Sequence, residues 1–185
     1  MAARDSQNSI HVPRGGCLSR VELETRLDEE VGRAERHHTA LSCLLVSLDD
    51  VERLVSAHGP ELPVQALAYL GRALGPELRR FDRVGHAAEG ELLVVLPGAD
   101  ERHGEIVARR ALGRLHSVKI DAEGTRRPLR ISMGIAAWRK GLTAEQLLSH
   151  TRLAARRTGP LDQRHAEPSG EPIVGLGELP LLRRP

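Results

Sequence analysis

Aromatic side chains are nearly absent from this sequence. Its 185 residues include one tryptophan, one tyrosine and one phenylalanine, at Trp138, Tyr69 and Phe81. Aromatic rings normally contribute much of the apolar area of a core and the stacking surfaces of binding pockets. The core must therefore be built from Leu, Val, Ile and Ala, and a pocket that stacks a purine on a ring has few rings available.

Cysteine is also scarce. Cys17 and Cys43 are isolated in the sequence, which argues against a disulfide framework, and together with His37 and His38 they do not have the spacing of a zinc site. No charged segment followed by an apolar stretch opens the chain, as it would in a signal peptide. We therefore expect a reduced, cytoplasmic protein without a zinc centre.

Net charge and long apolar runs are two further things that this sequence lacks. The formal net charge is +2, so the long-range electrostatic field gives no support to nucleic-acid or membrane-surface binding. No run approaches the roughly 18 apolar residues that a membrane-spanning helix needs. We therefore expect a protein that binds neither nucleic acid nor membranes.

What remains is the composition of an ordinary globular protein, with 40% apolar and 28% charged residues. Residues 1–15 are polar and aperiodic, which predicts a flexible N-terminal segment. Residues 160–185 are rich in Pro and Gly, which predicts an extended tail. One domain is thus expected over residues 16–159.

Periodicity within that domain predicts alternating helices and strands. Ser19 and Glu22 have the spacing of a capping box that begins a helix, along which Val21 and four later apolar residues recur at helical spacing. The further predicted elements are a buried strand at 41–48, a short helix from 51, a helix ending at 75–76, a hairpin at 82–98, a helix after Asp100, a strand pair at 118–120 and 129–137, and a helix after Thr143. This order predicts an α+β fold, an antiparallel sheet with helices packed on it.

The hairpin is the most informative segment. Two apolar segments flank the polar residues Ala88, Glu89 and Gly90, and the second apolar run ends at Pro97 and Gly98. Its central pentapeptide, Ala88-Glu89-Gly90-Glu91-Leu92, resembles the Gly-Gly-Asp-Glu-Phe signature of the GGDEF family of diguanylate cyclases. The pentapeptide Ser132-Met133-Gly134-Ile135-Ala136 is similar to that family's Ser-Ile-Gly-Ile-Ala. The resemblance implies the ferredoxin-like palm of nucleotide cyclases over residues 16–159.

The resemblance also implies a chemistry that these residues have largely lost. A diguanylate cyclase joins two GTP molecules with Mg²⁺ held by carboxylates, because Mg²⁺ prefers hard, anionic oxygen ligands. Asp49 and Glu91 match two of the family's acidic positions, whereas a third is occupied by Ser47 and the acidic third letter of the signature by Gly90. We interpret Asp49 and Glu91 as vestigial catalytic and metal positions, with the ordinary alternatives of a helix cap for Asp49 and a solvated turn acid for Glu91.

The guanine-reading positions of the family are changed as well. They match Val55 and Val64, whose side chains form no hydrogen bonds. These losses predict a catalytically degenerate domain that acts as a regulatory or interaction module, through self-association or an unidentified protein partner. A weakly active cyclase, with Mg²⁺ on Asp49 and Glu91, is the alternative that retains catalysis.

One binding motif of the family remains in the sequence. Arg79-Arg80-Phe81-Asp82 resembles the Arg-x-x-Asp of the family's inhibitory product site, and Arg110 matches a further arginine that can complete it. Guanidinium groups match guanine and phosphate in bidentate geometry, and a carboxylate can accept from guanine N–H groups. The second hypothesis is therefore a cyclic di-GMP receptor through Arg79, Asp82 and Arg110. The ordinary alternative is a basic helix end, with Asp82 satisfying a turn.

Overall fold

The computed structural model describes residues 17–115, 119–122 and 125–158. The expected N-terminal segment at 1–15 and the expected tail at 160–185 lie outside these residues. The helices are α1 (Arg20–His37), α2 (Val51–His58), α3 (Glu61–Leu74), α4 (Glu101–Leu115) and α5 (Ala144–Thr158), with a 3₁₀ turn at Gly75–Glu77. The strands are β1 (Leu41–Leu48), β2 (Arg83–Ala88), β3 (Glu91–Pro97), β4 (Lys119–Ala122), β5 (Thr125–Pro128) and β6 (Ile131–Ala137).

Four of these strands form an antiparallel sheet in the order β2-β3-β1-β6. Strand β1 lies inside the sheet, and its first six residues are buried, which agrees with its nearly continuous apolar sequence. The sheet separates two hydrophobic clusters. The predicted α+β architecture is therefore confirmed.

Successive side chains of β1 alternate between those two clusters. Leu44, Val46 and Leu48 pack with α3 and α4 on one face. Leu41, Cys43 and Leu45 pack with α1 and α5 on the other. Ser47 continues this second series, so the alternation directs it toward the side of the sheet on which α5 lies.

Local capping explains where two of the helices begin. Ser19 and Glu22 form the predicted capping box at the start of α1, and Thr143 Oγ1 accepts the backbone N–H of Gln146 at the start of α5. Val21, by contrast, is 72% exposed. Its predicted place on the buried face of α1 is wrong, because it lies only two residues before Leu23 and so faces away from the sheet.

The predicted strand pair at 118–120 and 129–137 is also wrong in its partners. Strand β4 pairs with β5 in a separate two-stranded sheet, and β6 pairs with β1 in the main sheet. The segments of β4 and β5 are two residues apart in sequence, which favours a local hairpin. Ile131 and Met133 of β6 are buried, which suits a position in the main sheet.

Helix α5 approaches β6 unusually closely, at Gly134. A Cβ atom added there would lie 2.1 Å from the backbone nitrogen of Ala155 and 2.5 Å from the carbonyl oxygen of Thr151. Both contacts are with backbone atoms, which cannot rotate away. Gly134 therefore sets the distance between α5 and the sheet. Among the described residues, the helices are all too short or too polar to cross a membrane.

Candidate functional site

The acidic positions predicted from the sequence meet at one end of the sheet. Ser47 on β1 is the register partner of Glu91 on β3 and of Ser132 on β6. Asp49 follows directly after β1 and reaches the same row, because Ser132 Oγ donates to Asp49 Oδ1 at 2.7 Å. The structure thus brings Ser47, Asp49 and Glu91 to the same end of the sheet, as the resemblance implied.

Asp49 is the most constrained of these residues. Its backbone N–H donates to the carbonyl of Arg130 at 2.9 Å, and its Oδ2 is buried without a hydrogen-bond partner among the described residues. Burial raises the pKa of the Asp49 carboxyl above its ordinary value, while the Ser132 hydrogen bond and the Arg130 charge oppose the rise. The expected helix-cap role of Asp49 is wrong, because the N-cap residue of α2 is Asp50.

Asp50 does not replace the missing third carboxylate. Its backbone is left-handed, with φ of 56°, and its Oδ2 lies 3.2 Å from a guanidinium nitrogen of Arg130 and 3.3 Å from one of Arg53. Ser47 itself is neutral, and its Oγ lies 3.5 Å from the carbonyl oxygen of Leu48. Among the described residues, the negative charge that the resemblance implies at Ser47 therefore has no substitute in this row.

Glu91 is held by an arginine from α5. Arg152 donates through Nε at 2.9 Å and through Nη2 at 2.7 Å to Oε2 of Glu91, and Nη2 also lies 3.3 Å from the carbonyl oxygen of Ala87. The Glu91 side chain is only 17% exposed and that of Arg152 only 30%. The expected solvated turn acid is therefore wrong: Glu91 is a mostly buried member of an ion pair. The sequence prediction missed Arg152, because no local pattern indicates that a charged residue of the last helix contacts the hairpin.

These residues do not fit Mg²⁺. The metal needs anionic oxygens that converge on one point, but Glu91 is neutralised by Arg152 and Ser47 has no charge. Ser132 binds Oδ1 of Asp49, so this row offers a metal one carboxylate oxygen, Oδ2 of Asp49, and one oxygen does not make a site. No group of three His, Cys, Asp or Glu side chains converges as metal ligands within the described part of the chain. No catalytic step through Mg²⁺ can be derived from this arrangement.

The turn of the signature hairpin has also changed. Gly90 has φ of +74°, a conformation that side chains rarely adopt, and a Cβ atom there would lie 2.5 Å from Cγ2 of Val51. An acidic residue at this position would require both the turn and α2 to shift. Val55 on α2 is partly buried and Val64 on α3 is half exposed, and neither side chain can hydrogen-bond to a base.

Arg79 and Asp82 form a closed turn. Asp82 Oδ2 accepts the backbone N–H of Arg79 at 2.7 Å, and the backbone N–H of Asp82 donates to the carbonyl of Arg79 at 3.1 Å. Burial raises the pKa of the Asp82 carboxyl, and the hydrogen bond from Arg79 opposes the rise. Asp82 therefore satisfies a turn in this structure, which is the role expected for it if it does not bind a ligand.

Arg110 is bound elsewhere. Its Nε lies 2.9 Å from Oε2 of Glu77, and Nε of Arg114 lies 2.9 Å from Oε1 of the same carboxylate. The Glu77 side chain is 9% exposed, whereas both arginines are more than half exposed. The sequence prediction missed Glu77, because nothing in the pattern of α4 indicates which carboxylate its arginines contact.

The side chain of Arg79 lines a cleft of about 540 Å³ at the other end of the sheet. Arg26, Arg33 and Arg83 also line it, with Glu30 as the one acidic residue. Phe81, which is half exposed, lies in the same wall. The cleft is therefore basic and has one aromatic face, and neither Asp82 nor Arg110 belongs to its lining.

The arginines of this cleft differ in how firmly they are held. Arg26 binds Glu29 at 2.7 Å, and Arg83 donates to the carbonyls of Arg80 and Asp82. The guanidinium of Arg79 has no ion-pair partner in the part of the chain that the structure describes. Arg79 is thus the cation of the cleft that is best placed to receive an anionic ligand.

Comparison with solved structures relates this arrangement to known proteins. SiaD of Pseudomonas aeruginosa, a diguanylate cyclase solved in complex with its activator SiaC, is 25% identical, with a TM-score of 0.72 over 82% of this chain and 60% of the SiaD chain. The GGDEF domain of DgcB from Caulobacter crescentus, in complex with c-di-GMP, is 14% identical, with a TM-score of 0.69 over 85% and 90% of the two chains. The FimX GGDEF domain from P. aeruginosa is 16% identical, with a TM-score of 0.70 over 80% and 94%.

The match to SiaD thus spans less than two thirds of that protein's own length. No curated protein matches this chain. The family model described as "Diguanylate cyclase, GGDEF domain" matches residues 15–160, which include the sheet, its hairpin and the basic cleft. By that match this chain belongs to the GGDEF domain family.

Proposed function

We propose that this GGDEF domain is catalytically inactive and serves as a regulatory or interaction module in cyclic-dinucleotide signalling. The observation that carries the proposal is the ion pair between Glu91 and Arg152. A carboxylate that already receives two guanidinium hydrogen bonds, at 2.9 and 2.7 Å, has lost the free charge that a metal site needs.

Two further features support inactivity independently of that pair. Ser47 removes a charge from the row at the end of β1, and no nearby carboxylate replaces it. Gly90 removes a second charge. Because its φ is positive and a Cβ atom there would lie too close to Val51, an acidic residue cannot replace it without a shift of the surrounding structure. Inactivity therefore does not depend on the position of one side chain.

The direct test is incubation of the purified protein with GTP and Mg²⁺, with chromatographic detection of cyclic di-GMP. We expect no product, and none from a double variant, Ser47→Asp with Arg152→Leu, because Gly90 still leaves the signature without its third acid. Product formation by the natural sequence that disappears in Asp49→Asn would overturn the proposal. It would instead support a weakly active cyclase that uses Asp49 and Glu91.

The basic cleft favours a second candidate function, a cyclic di-GMP receptor. Four arginines line the cleft, and among the described residues the guanidinium of one of them, Arg79, has no ion-pair partner. The ligand carries two phosphates and two planar bases that guanidinium groups bind well. The DgcB GGDEF domain, similar in fold, was solved with c-di-GMP. Asp82 can bind the ligand only after the hydrogen bond between its carboxylate and the backbone N–H of Arg79 breaks.

Calorimetric titration with cyclic di-GMP tests the receptor. Arg79→Ala should weaken binding by at least about tenfold, the size expected for a lost charge-assisted contact. Arg80→Ala is the matched control, because Arg80 is adjacent and exposed but does not line the cleft. Absence of heat, or equal effects of the two substitutions, would remove this candidate.

A protein partner is the remaining part of the proposal. SiaD, whose structure resembles this chain, was solved with its activator SiaC, which supports contact with another protein as a role for this domain. Self-association is the other form of interaction we propose. The two cysteines remain free thiols, which supports a cytoplasmic setting for either form.

A further inference from the structure

The 3₁₀ turn before Arg79 carries a carboxylate that the proposed receptor function does not use. Glu77 is two residues from Arg79, so its backbone lies within about 7 Å of it along the chain. Its side chain faces α4 and receives Arg110 and Arg114, each at 2.9 Å. The segment from 77 to 79 thus presents a carboxylate to α4 and a guanidinium to the basic cleft.

The structure separates Arg79 and Arg110, which the sequence resemblance assigned to one binding site. Arg79 lines the cleft, whereas Arg110 is absent from its lining and is bound to Glu77. A ligand that engages both arginines must draw Arg110 away from a carboxylate that is 9% exposed.

We propose that Glu77 withholds Arg110 from the Arg79 site and so weakens the binding of anionic ligands there. The inference rests on the receptor candidate described above and adds a residue that controls it. Glu77 acts as a positioning residue, because its effect passes through Arg110. The probe is cyclic di-GMP, and the observable is its affinity in substituted proteins.

Glu77 is charged under all ordinary assay conditions. The hydrogen bond from Arg114 and the charges of both arginines lower the pKa of the Glu77 carboxyl. Moderate changes in pH therefore do not release Arg110. Ligand or a substitution is needed to do so.

The first experiment removes the charge of Glu77. Glu77→Gln should tighten cyclic di-GMP binding at least about fivefold in calorimetry, because Arg110 becomes free to contact the ligand. The gain should disappear when Arg110→Ala is added, which separates release of Arg110 from a general change in charge. Glu105→Gln, which neutralises a carboxylate on α4 itself, is the matched control and should leave the affinity unchanged.

The second experiment does not need Glu77 to be altered. Arg110→Ala alone should change the affinity of the natural sequence less than twofold, because that arginine is already withheld. A tenfold loss in this variant would overturn the inference. This variant also decides the question if Glu77→Gln does not fold.

The outcomes separate the inference from the function on which it rests. If the natural sequence binds through Arg79 but Glu77→Gln binds no tighter, the inference fails and the receptor stands. A gain that survives Arg110→Ala also overturns the inference. If no variant binds, Glu77→Gln included, both the receptor and the inference fail, while catalytic inactivity stays open to the GTP test.

Discussion

The contact between Glu91 and Arg152 should contribute measurably to stability. Replacing Arg152 with Met removes two hydrogen bonds to Glu91 and one to the carbonyl of Ala87, while the methionine keeps most of the apolar stem. Hydrogen bonds to charged groups contribute about 1.5–3 kcal/mol each in mutational series. Solvent reaches part of both side chains, so these bonds will count for less than their sum.

We therefore expect Arg152→Met to lower the free energy of unfolding by about 2–3 kcal/mol, partly because Glu91 is left mostly buried without a cation. Arg26→Met is the matched control. Arg26 binds Glu29 at 2.7 Å, but their side chains are 54% and 48% exposed. That substitution should lower the free energy of unfolding much less than Arg152→Met, because exposed pairs within one helix contribute little.

Urea unfolding followed by far-UV circular dichroism gives the free energies, with the midpoint as the robust quantity. A double-mutant cycle with Glu91→Gln isolates the pair, and we expect a coupling energy of about 1–2 kcal/mol. A coupling near zero, or an Arg152→Met protein as stable as the Arg26→Met protein, would refute the claim that Glu91 has become a structural residue.

Other substitutions test the packing and the electrostatics around the same site. Gly134→Ala should destabilise the fold by about 3 kcal/mol, because α5 must move away from β6. In Gly113→Ala the added Cβ meets no atom within 4 Å, so this control should stabilise the fold by about 0.5–1 kcal/mol. Similar urea midpoints for the two variants would contradict this. Ser132→Ala should raise the pKa of Asp49 further, measured by carbon NMR titration of its carboxyl, and an unchanged or lower value would show that their hydrogen bond is absent in solution. Because the folded-state pKa of Asp49 is raised, its contribution to stability falls as pH rises from the ordinary value of 3.8 through the folded value, and Ser132→Ala should extend that fall to higher pH. Burial raises the pKa of Cys17 to about 11, so its alkylation by iodoacetamide at pH 8 should be about two orders of magnitude slower than that of a free thiol; equal rates would contradict the burial.

Local sequence signals were sufficient for most of the fold. The capping box at Ser19 and Glu22, the apolar run of β1 and the two halves of the hairpin each depend on residues close together in the chain, and each formed where the pattern predicted. The pairing of β4 with β5 was missed because those short segments have no apolar alternation to indicate a partner. Local patterns therefore located the elements but not all of their partners.

The chemistry of the site depended on contacts that no local pattern encodes. Arg152 lies 61 residues from Glu91, and Arg110 lies 33 residues from Glu77, on a different element. Which arginine meets which carboxylate is decided by how α5 and α4 approach the sheet, and for α5 that approach is set at Gly134. The sequence predicts lost catalysis through Ser47 and Gly90, but it could not indicate that Glu91 forms an ion pair with Arg152.

The contact with Arg152 explains how the hairpin accommodates a mostly buried carboxylate at Glu91. A carboxylate that is only 17% exposed requires a cation nearby, and Arg152 supplies one from within the chain. With the charge balanced internally, a neutral residue at Ser47 leaves no unpaired charge on the sheet. Restoring Ser47 to Asp would place a second carboxylate directly across from Glu91 in the strand register, where the two would compete for Arg152. We therefore expect that no single substitution creates a metal site, because removal of Arg152 and new acids at Ser47 and Gly90 are all needed.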